Sequence, residues 1–235
     1  MKKNIGRTLF WFKDGDEKLH KLADKYFGLG TLLNRLMNEV YIGKKIIFIN
    51  INFYSELSYK IYDGLLKHYT HFGGQNLTHN AVLDFEMFYA LTEEEKEHFL
   101  WKRGYEILQE AAIVIKNPYL AEASKYAYQK GLETNLNLDF RVLEVDIMLY
   151  DVPLKACVWI RFTKEEMYSQ FTLEKNGIII FEKHLMTTVH GVEFFLEMYK
   201  KIEVKDNIIL LRGAKEAKLP MKIPIEEEIV KGKDW

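Results

Sequence analysis

Two consecutive segments alternate apolar and polar residues in opposite phase, and this constrains the fold more than any other feature of the chain. In 140–150 the odd positions Leu143, Val145, Ile147 and Leu149 are apolar. In 154–162 the even positions Leu154, Ala156, Val158, Ile160 and Phe162 are apolar. Side chains alternate faces along a strand, so a one-residue slip would turn every apolar group to the wrong side. Opposite phase therefore demands a hairpin with an even loop. A two-residue turn at Asp151-Val152 sets Leu149 opposite Leu154, Ile147 opposite Ala156, Val145 opposite Val158 and Leu143 opposite Ile160. In the next hairpin a two-residue turn at Asn176-Gly177 would set Phe171 opposite Glu182. A three-residue loop over 175–177 instead matches Leu173 with Ile179 and Phe171 with Phe181, and predicts Gly177 in a left-handed bulge position.

Helical patterns precede these strands. Thr92 with Glu95 forms a capping box, and the stripe Trp101, Tyr105, Leu108, Ala112, Ile115 follows at steps of four and three. Asn117-Pro118 then caps a helix over about 118–131. Further helices are predicted over 31–41, 57–72 and 191–202, and 78–91 leans to helix although it also alternates. Residues 6–12, ending at the turn Asp14-Gly15-Asp16, and 45–53 read as strands, as does 206–212. The fold class predicted is α+β. An antiparallel meander over about 138–185 plus 206–212 packs on a helical layer over about 92–132, with additional strands and helices before it. Residues 1–212 are expected as a single domain, with 1–75 a candidate subdomain. Residues 213–235, with Pro220, Pro224 and Glu226-Glu227-Glu228, read as an arm docked through Met221, Ile223, Ile225 and Ile229.

Composition narrows the function classes. At 48% hydrophobic, with 33 basic against 34 acidic residues, the chain can bury enough surface to fold. Cys157 is alone, which excludes a disulfide framework. No apolar run approaches the length of a membrane span, and Gly6, Arg7 and Lys13 interrupt any secretory h-region. Lys233-Asp234-Trp235 carries no lipidation motif. A cytoplasmic location is the expectation. A net charge of −1 disfavours nucleic acid. The aromatics Trp11, Tyr126, Tyr128, Tyr199 and Trp235 are dispersed, without an interleaved basic stripe.

Two constellations carry candidate chemistry. His68, His71 and His79 are the histidine cluster. On a helix His68 and His71 would share a face and could hold a metal, with Asp63 or Asp84 as further ligands, but HExxH and CxxC motifs are absent. Glu144 and Asp146 share the polar face of the first hairpin. The register above sets Trp159 opposite Glu144 and Cys157 opposite Asp146, with Arg161 diagonal to Glu144. Glu144, Asp146, Trp159 and Arg161 are the candidate binding residues, because Trp and Arg are enriched in interfaces. Cys157, mid-strand, reads as a packed side chain. No serine lies in a GxSxG elbow, and Gly28-Leu29-Gly30 lacks the rest of a phosphate loop. No catalytic residue, metal or cofactor is assigned.

In size, near-neutral charge and lack of catalytic motifs the chain resembles bacterial immunity proteins, which neutralise toxins by binding. This likeness of class rests on no particular residue. It implies a non-enzymatic, protein-binding function with a toxin domain as partner. The alternatives are a metal-dependent hydrolase or nuclease using His68, His71 and His79 or Glu144 and Asp146, and a structural subunit assembling through the C-terminal arm.

Overall fold

Helical stripes and β-branched runs alternate through the first 138 residues and give way to strands thereafter, and the structure follows that division. A computed structural model describes residues 4–15, 17–62, 66–71 and 73–232. Asp16, Asp63 and Trp235 therefore lie outside the described residues. The fold is α+β. The chain divides into two compact units, residues 1–138 and 139–235.

The first unit runs β1 (Ile5–Asp14), β2 (Glu17–Lys18), α1 (His20–Lys25), α2 (Phe27–Val40), β3 (Ile46–Tyr54), α3 (Glu56–Ile61), β4 (His68–His71), β5 (Asn76–Val82), α4 (Phe85–Ala90), α5 (Glu93–Val114) and α6 (Pro118–Glu133). Its sheet has the order β2-β1-β3-β5-β4. β1, β3 and β5 are parallel, and β2 and β4 close the edges antiparallel. One face, with Phe10, Phe12, Ile49, Ile51, Phe53 and Leu77, shares a single buried cluster with residues of α2, α5 and α6. The helical layer predicted for the meander thus packs on this sheet. Asn34 and Asn38, one turn apart on α2, hold it to β1. Asn38 Oδ1 accepts from the Ile5 amide at 2.9 Å and its Nδ2 donates to the Ile5 carbonyl at 2.8 Å. Gly30 sits where a Cβ would strike the Thr8 carbonyl, so Gly28-Leu29-Gly30 serves close helix–strand packing. The capping box at Thr92 forms as predicted. Trp101 Nε1 donates to the Tyr128 carbonyl at 3.1 Å and ties α5 to α6.

Of two local helix predictions here, one fails beyond its first turns and one holds only in its second half. The 57–72 helix ends at Ile61, and His68–His71 is a strand. Gly73 and Gly74, both at positive φ, lie in the link that returns the chain into β5 rather than stopping a helix. The 78–91 segment is strand to Val82, then a helix capped by Asp84, whose Oδ1 accepts from the Met87 amide at 3.0 Å. The alternation of Leu83, Phe85, Met87 and Tyr89 runs into this helix, and the strand lies before it.

The second unit contains β6 (Phe140–Leu149), β7 (Val152–Phe162), β8 (Glu166–Lys175), β9 (Ile178–Val189), α7 (Glu193–Glu197), β10 (Tyr199–Lys205), β11 (Ile208–Gly213), a 3-10 turn at Lys215–Ala217, β12 (Met221–Pro224) and α8 (Glu227–Lys231). β6-β7-β8-β9 is the antiparallel meander. The turn between β6 and β7 is two residues, with parity as predicted, but it falls at Tyr150-Asp151, both at positive φ. Leu149 therefore faces Val152, and Ile147 faces Leu154. The second hairpin takes the two-residue turn Asn176-Gly177 rather than three residues. A register shift between Leu173 and Glu174 restores the phase and brings Leu173 opposite Phe181.

β10-β11-β12 is a separate antiparallel sheet, so the strand near 206–212 does not extend the meander. Of the helix predicted over 191–202, Glu193–Glu197 forms, and Tyr199–Lys205 is strand. A register shift between Tyr199 and Lys201 lets Tyr199 and Ile202 both point inward, which mimics helical spacing. The Ser169 and Tyr199 hydroxyls, 2.6 Å apart, join the two sheets. β12 pairs with β11 and buries Ile223, and Ile225 is buried beyond it.

Candidate functional site

Regular alternation assigns the polar residues of the meander to the face opposite its core. On that face lie Asp146, Glu144 and Arg141 of β6, Lys155, Cys157, Trp159 and Arg161 of β7, Gln170, Thr172 and Glu174 of β8, and Glu182 of β9. All four predicted binding residues are therefore together, but not in the predicted pairs. Cys157 faces Glu144, Lys155 faces Asp146, and Trp159 faces Arg141. The pairing differs by one turn position, and by a register shift between Arg141 and Leu143 that swings Arg141 onto this face.

Trp159 is the centre of the arrangement. The Arg141 guanidinium lies 4.5 Å from its ring centre and that of Arg161 lies 4.2 Å away. Its Nε1 donates to Thr172 Oγ1 at 3.1 Å. Arg161 donates to Asp139 at 3.0 Å and Gln170 at 3.3 Å. Arg141 donates to Glu144 at 2.6 Å and to Glu174 at 2.8 Å. Lys155 donates to Glu144 at 2.6 Å and forms an ion pair with Asp146 at 3.4 Å. Trp159 is thus a half-buried ring flanked by cations that are themselves anchored. Arg141, Asp139 and Glu174 were missed in the sequence. Arg141 falls out of phase with Glu144 and Asp146 because of the register shift, which alternation alone does not reveal.

The same contacts set the chemistry. The Lys155 ammonium and the Arg141 guanidinium hold the Glu144 carboxyl below the usual carboxylate range. Such a group is a poor proton donor at neutral pH. Burial pushes the Cys157 thiol up to about 11, against a smaller pull from Arg141, so the sulfur stays protonated and unreactive.

The histidines are arranged differently from the prediction. On strand β4, His68 and His71, three residues apart, project from opposite faces. His68 instead faces His79 across the β4–β5 pair, with their Nδ1 atoms 2.8 Å apart. His79 is buried, and its Nε2 has no hydrogen-bond partner among the described residues. Burial first, then the neighbouring His68, lowers His79 to about 3. His68 is also lowered, by burial and by Lys67, against Glu110, whose Oε2 lies 3.9 Å from its Nε2. Asp84 is occupied as a helix cap, and Asp63 lies outside the described residues. Among the described residues no three of His, Cys, Asp and Glu are grouped to hold a metal ion. No helix among them is long and apolar enough to cross a membrane.

No protein-family model, no curated protein and no solved structure matches the chain.

Proposed function

We propose that the chain works by binding a partner protein through the outer face of the meander, centred on Trp159. The observation that carries this reading is the Arg141–Trp159–Arg161 stack, held in place by Glu144, Glu174 and Asp139. Tryptophan and arginine dominate interface energetics, and side chains already ordered lose less entropy on binding. On this face, among the residues named above, three cations (Arg141, Lys155, Arg161) stand among five carboxylates (Asp139, Glu144, Asp146, Glu174, Glu182). A partner with a basic surface is the complement of such a face. Neutralisation of a toxin domain in the cytoplasm, the immunity-type role, is the specific form of the proposal.

The lowered Glu144 and the inert Cys157 favour recognition over acid–base or thiol chemistry at this face. Pairing of β12 with β11 of its own chain favours it over assembly through the arm. The test is quantitative capture from native lysate with the wild-type chain and with Trp159→Ala. A protein retained by the wild type and depleted at least about tenfold by the variant supports the reading, since loss of a hot-spot aromatic costs about 2 kcal/mol or more. Equal retention by both chains, or turnover of a substrate by the purified protein, contradicts it.

A further inference from the structure

The sheet of the first unit carries a second unassigned feature, independent of the meander. Its core face is buried with α2, α5 and α6, while its outer face holds a concavity of about 480 Å³. That volume is in the range of small-molecule sites, about 300–1,000 Å³.

Register places the lining residue by residue. Leu9, Asn50, Thr78 and Tyr69 form one row across β1, β3, β5 and β4. Trp11 and Asn52 stand in the next row, and Lys13 and Tyr54 in the one after. Trp11 and Tyr69 come from strands three spacings apart, so the floor between the two rings is roughly 14 Å wide. Amides and a hydroxyl make up that floor. Trp11 Nε1 donates to Asn50 Oδ1 at 3.1 Å, which fixes the indole at its edge while 39% of the residue stays exposed. Among the described residues the lining includes Arg7, Lys13 and His20 and no carboxylate. Lys13 donates to the Tyr62 hydroxyl and lies over its ring. A phenol leaves most of an ammonium's charge and donors available.

We propose that this concavity binds a small anionic ligand with a planar ring, of the nucleoside monophosphate class. The ring stacks on Trp11, the Asn50 and Asn52 amides and the Thr78 hydroxyl take up its polar edge and sugar, and Lys13 meets the phosphate. The Lys13 ammonium, paired only with a phenol among the described residues, favours an anion over a neutral sugar. The volume fits one nucleotide rather than a strand.

Isothermal titration of the full chain with each of the four ribonucleoside monophosphates tests this. At least one is expected to bind below about 1 mM. The matching unphosphorylated nucleoside and ribose 5-phosphate are each expected to bind at least about tenfold more weakly. Lys13→Met is expected to lose about tenfold or more, and Trp11→Ala about fivefold or more, while Trp11→Phe retains binding and circular dichroism confirms that all three fold. No monophosphate binding below about 1 mM, undiminished binding by a folded Lys13→Met, ribose 5-phosphate binding as well as the nucleotide, or tighter binding of a ten-nucleotide strand or a neutral oligosaccharide would each overturn it.

Discussion

The outer faces of the two larger sheets solve the same problem in opposite ways. On the meander, cations and carboxylates interleave, and each cation around Trp159 is tied to an acid: Arg141 to Glu174, Lys155 to Glu144, Arg161 to Asp139. On the first sheet, amides, rings and cations line a concavity from which carboxylates are absent among the described residues. A face whose cations are each tied to an acid, with carboxylates left in excess, suits a broad basic protein partner. A face that offers the Lys13 ammonium to a concavity, paired among the described residues with a phenol rather than a carboxylate, suits a small anion. The cost of losing one cation should therefore differ between them.

The largest expected effect is at Arg141. Glu174 is 7% exposed, so Arg141→Met leaves a buried carboxylate without its cation and should cost about 3 kcal/mol in a denaturant titration. Lys13→Met, which removes a partner from a phenol, should cost well under half of that. Equal losses would break the comparison.

Acid should separate the two units next. His79, lowered from 6.5 to about 3, stays neutral when folded and takes up a proton when unfolded. Its contribution is complete above about pH 6.5 and falls as pH drops towards 3, because the unfolded chain binds more protons throughout that window. Glu144 is lowered as well, so its contribution is complete above its ordinary value of 4.5 and is lost only as pH falls through its depressed folded value. Thermal melts of the wild type and of His79→Gln between pH 7 and 5 check this. The variant should lose most of the pH dependence, and an unchanged slope would show that the buried pair does not control it.

A smaller effect is expected at the helical layer beneath the first sheet. Thr92→Ala removes the hydroxyl that accepts from the Glu95 amide while the Thr92 amide can still donate to Glu95, and should cost about 1 kcal/mol, read from the denaturation midpoint. The smallest is at Asp146, whose side chain is 87% exposed although it pairs with Lys155. Asp146→Asn should change stability by less than about 0.5 kcal/mol. A larger loss would mean that the outer ion pairs, and not only Glu174, hold the face together.

What could be read from the sequence follows from how local each signal is. Strict alternation located the meander, its first hairpin parity and the common face of Glu144, Asp146, Trp159 and Arg161, because these depend only on period two. The capping box at Thr92 and the Asn117-Pro118 helix start were legible for the same reason. Cross-strand partners were not. Turn position and the register shift between Arg141 and Leu143 moved Arg141 beside Trp159 and left Cys157 opposite Glu144. The His68–His79 contact was hidden because it depends on β4 being a strand, which the chain reveals only through pairing with β5. The concavity on the first sheet was invisible because Trp11, Asn50, Thr78 and Tyr69 come from four strands.

The central claim is that Trp159 anchors a protein partner. Titrating the partner captured by the wild-type chain against Trp159→Ala and Trp11→Ala tests it most directly. The account predicts a rise in Kd of about thirtyfold or more for Trp159→Ala and none for Trp11→Ala. Unchanged affinity in a folded Trp159→Ala, or a loss confined to Trp11→Ala, would contradict it.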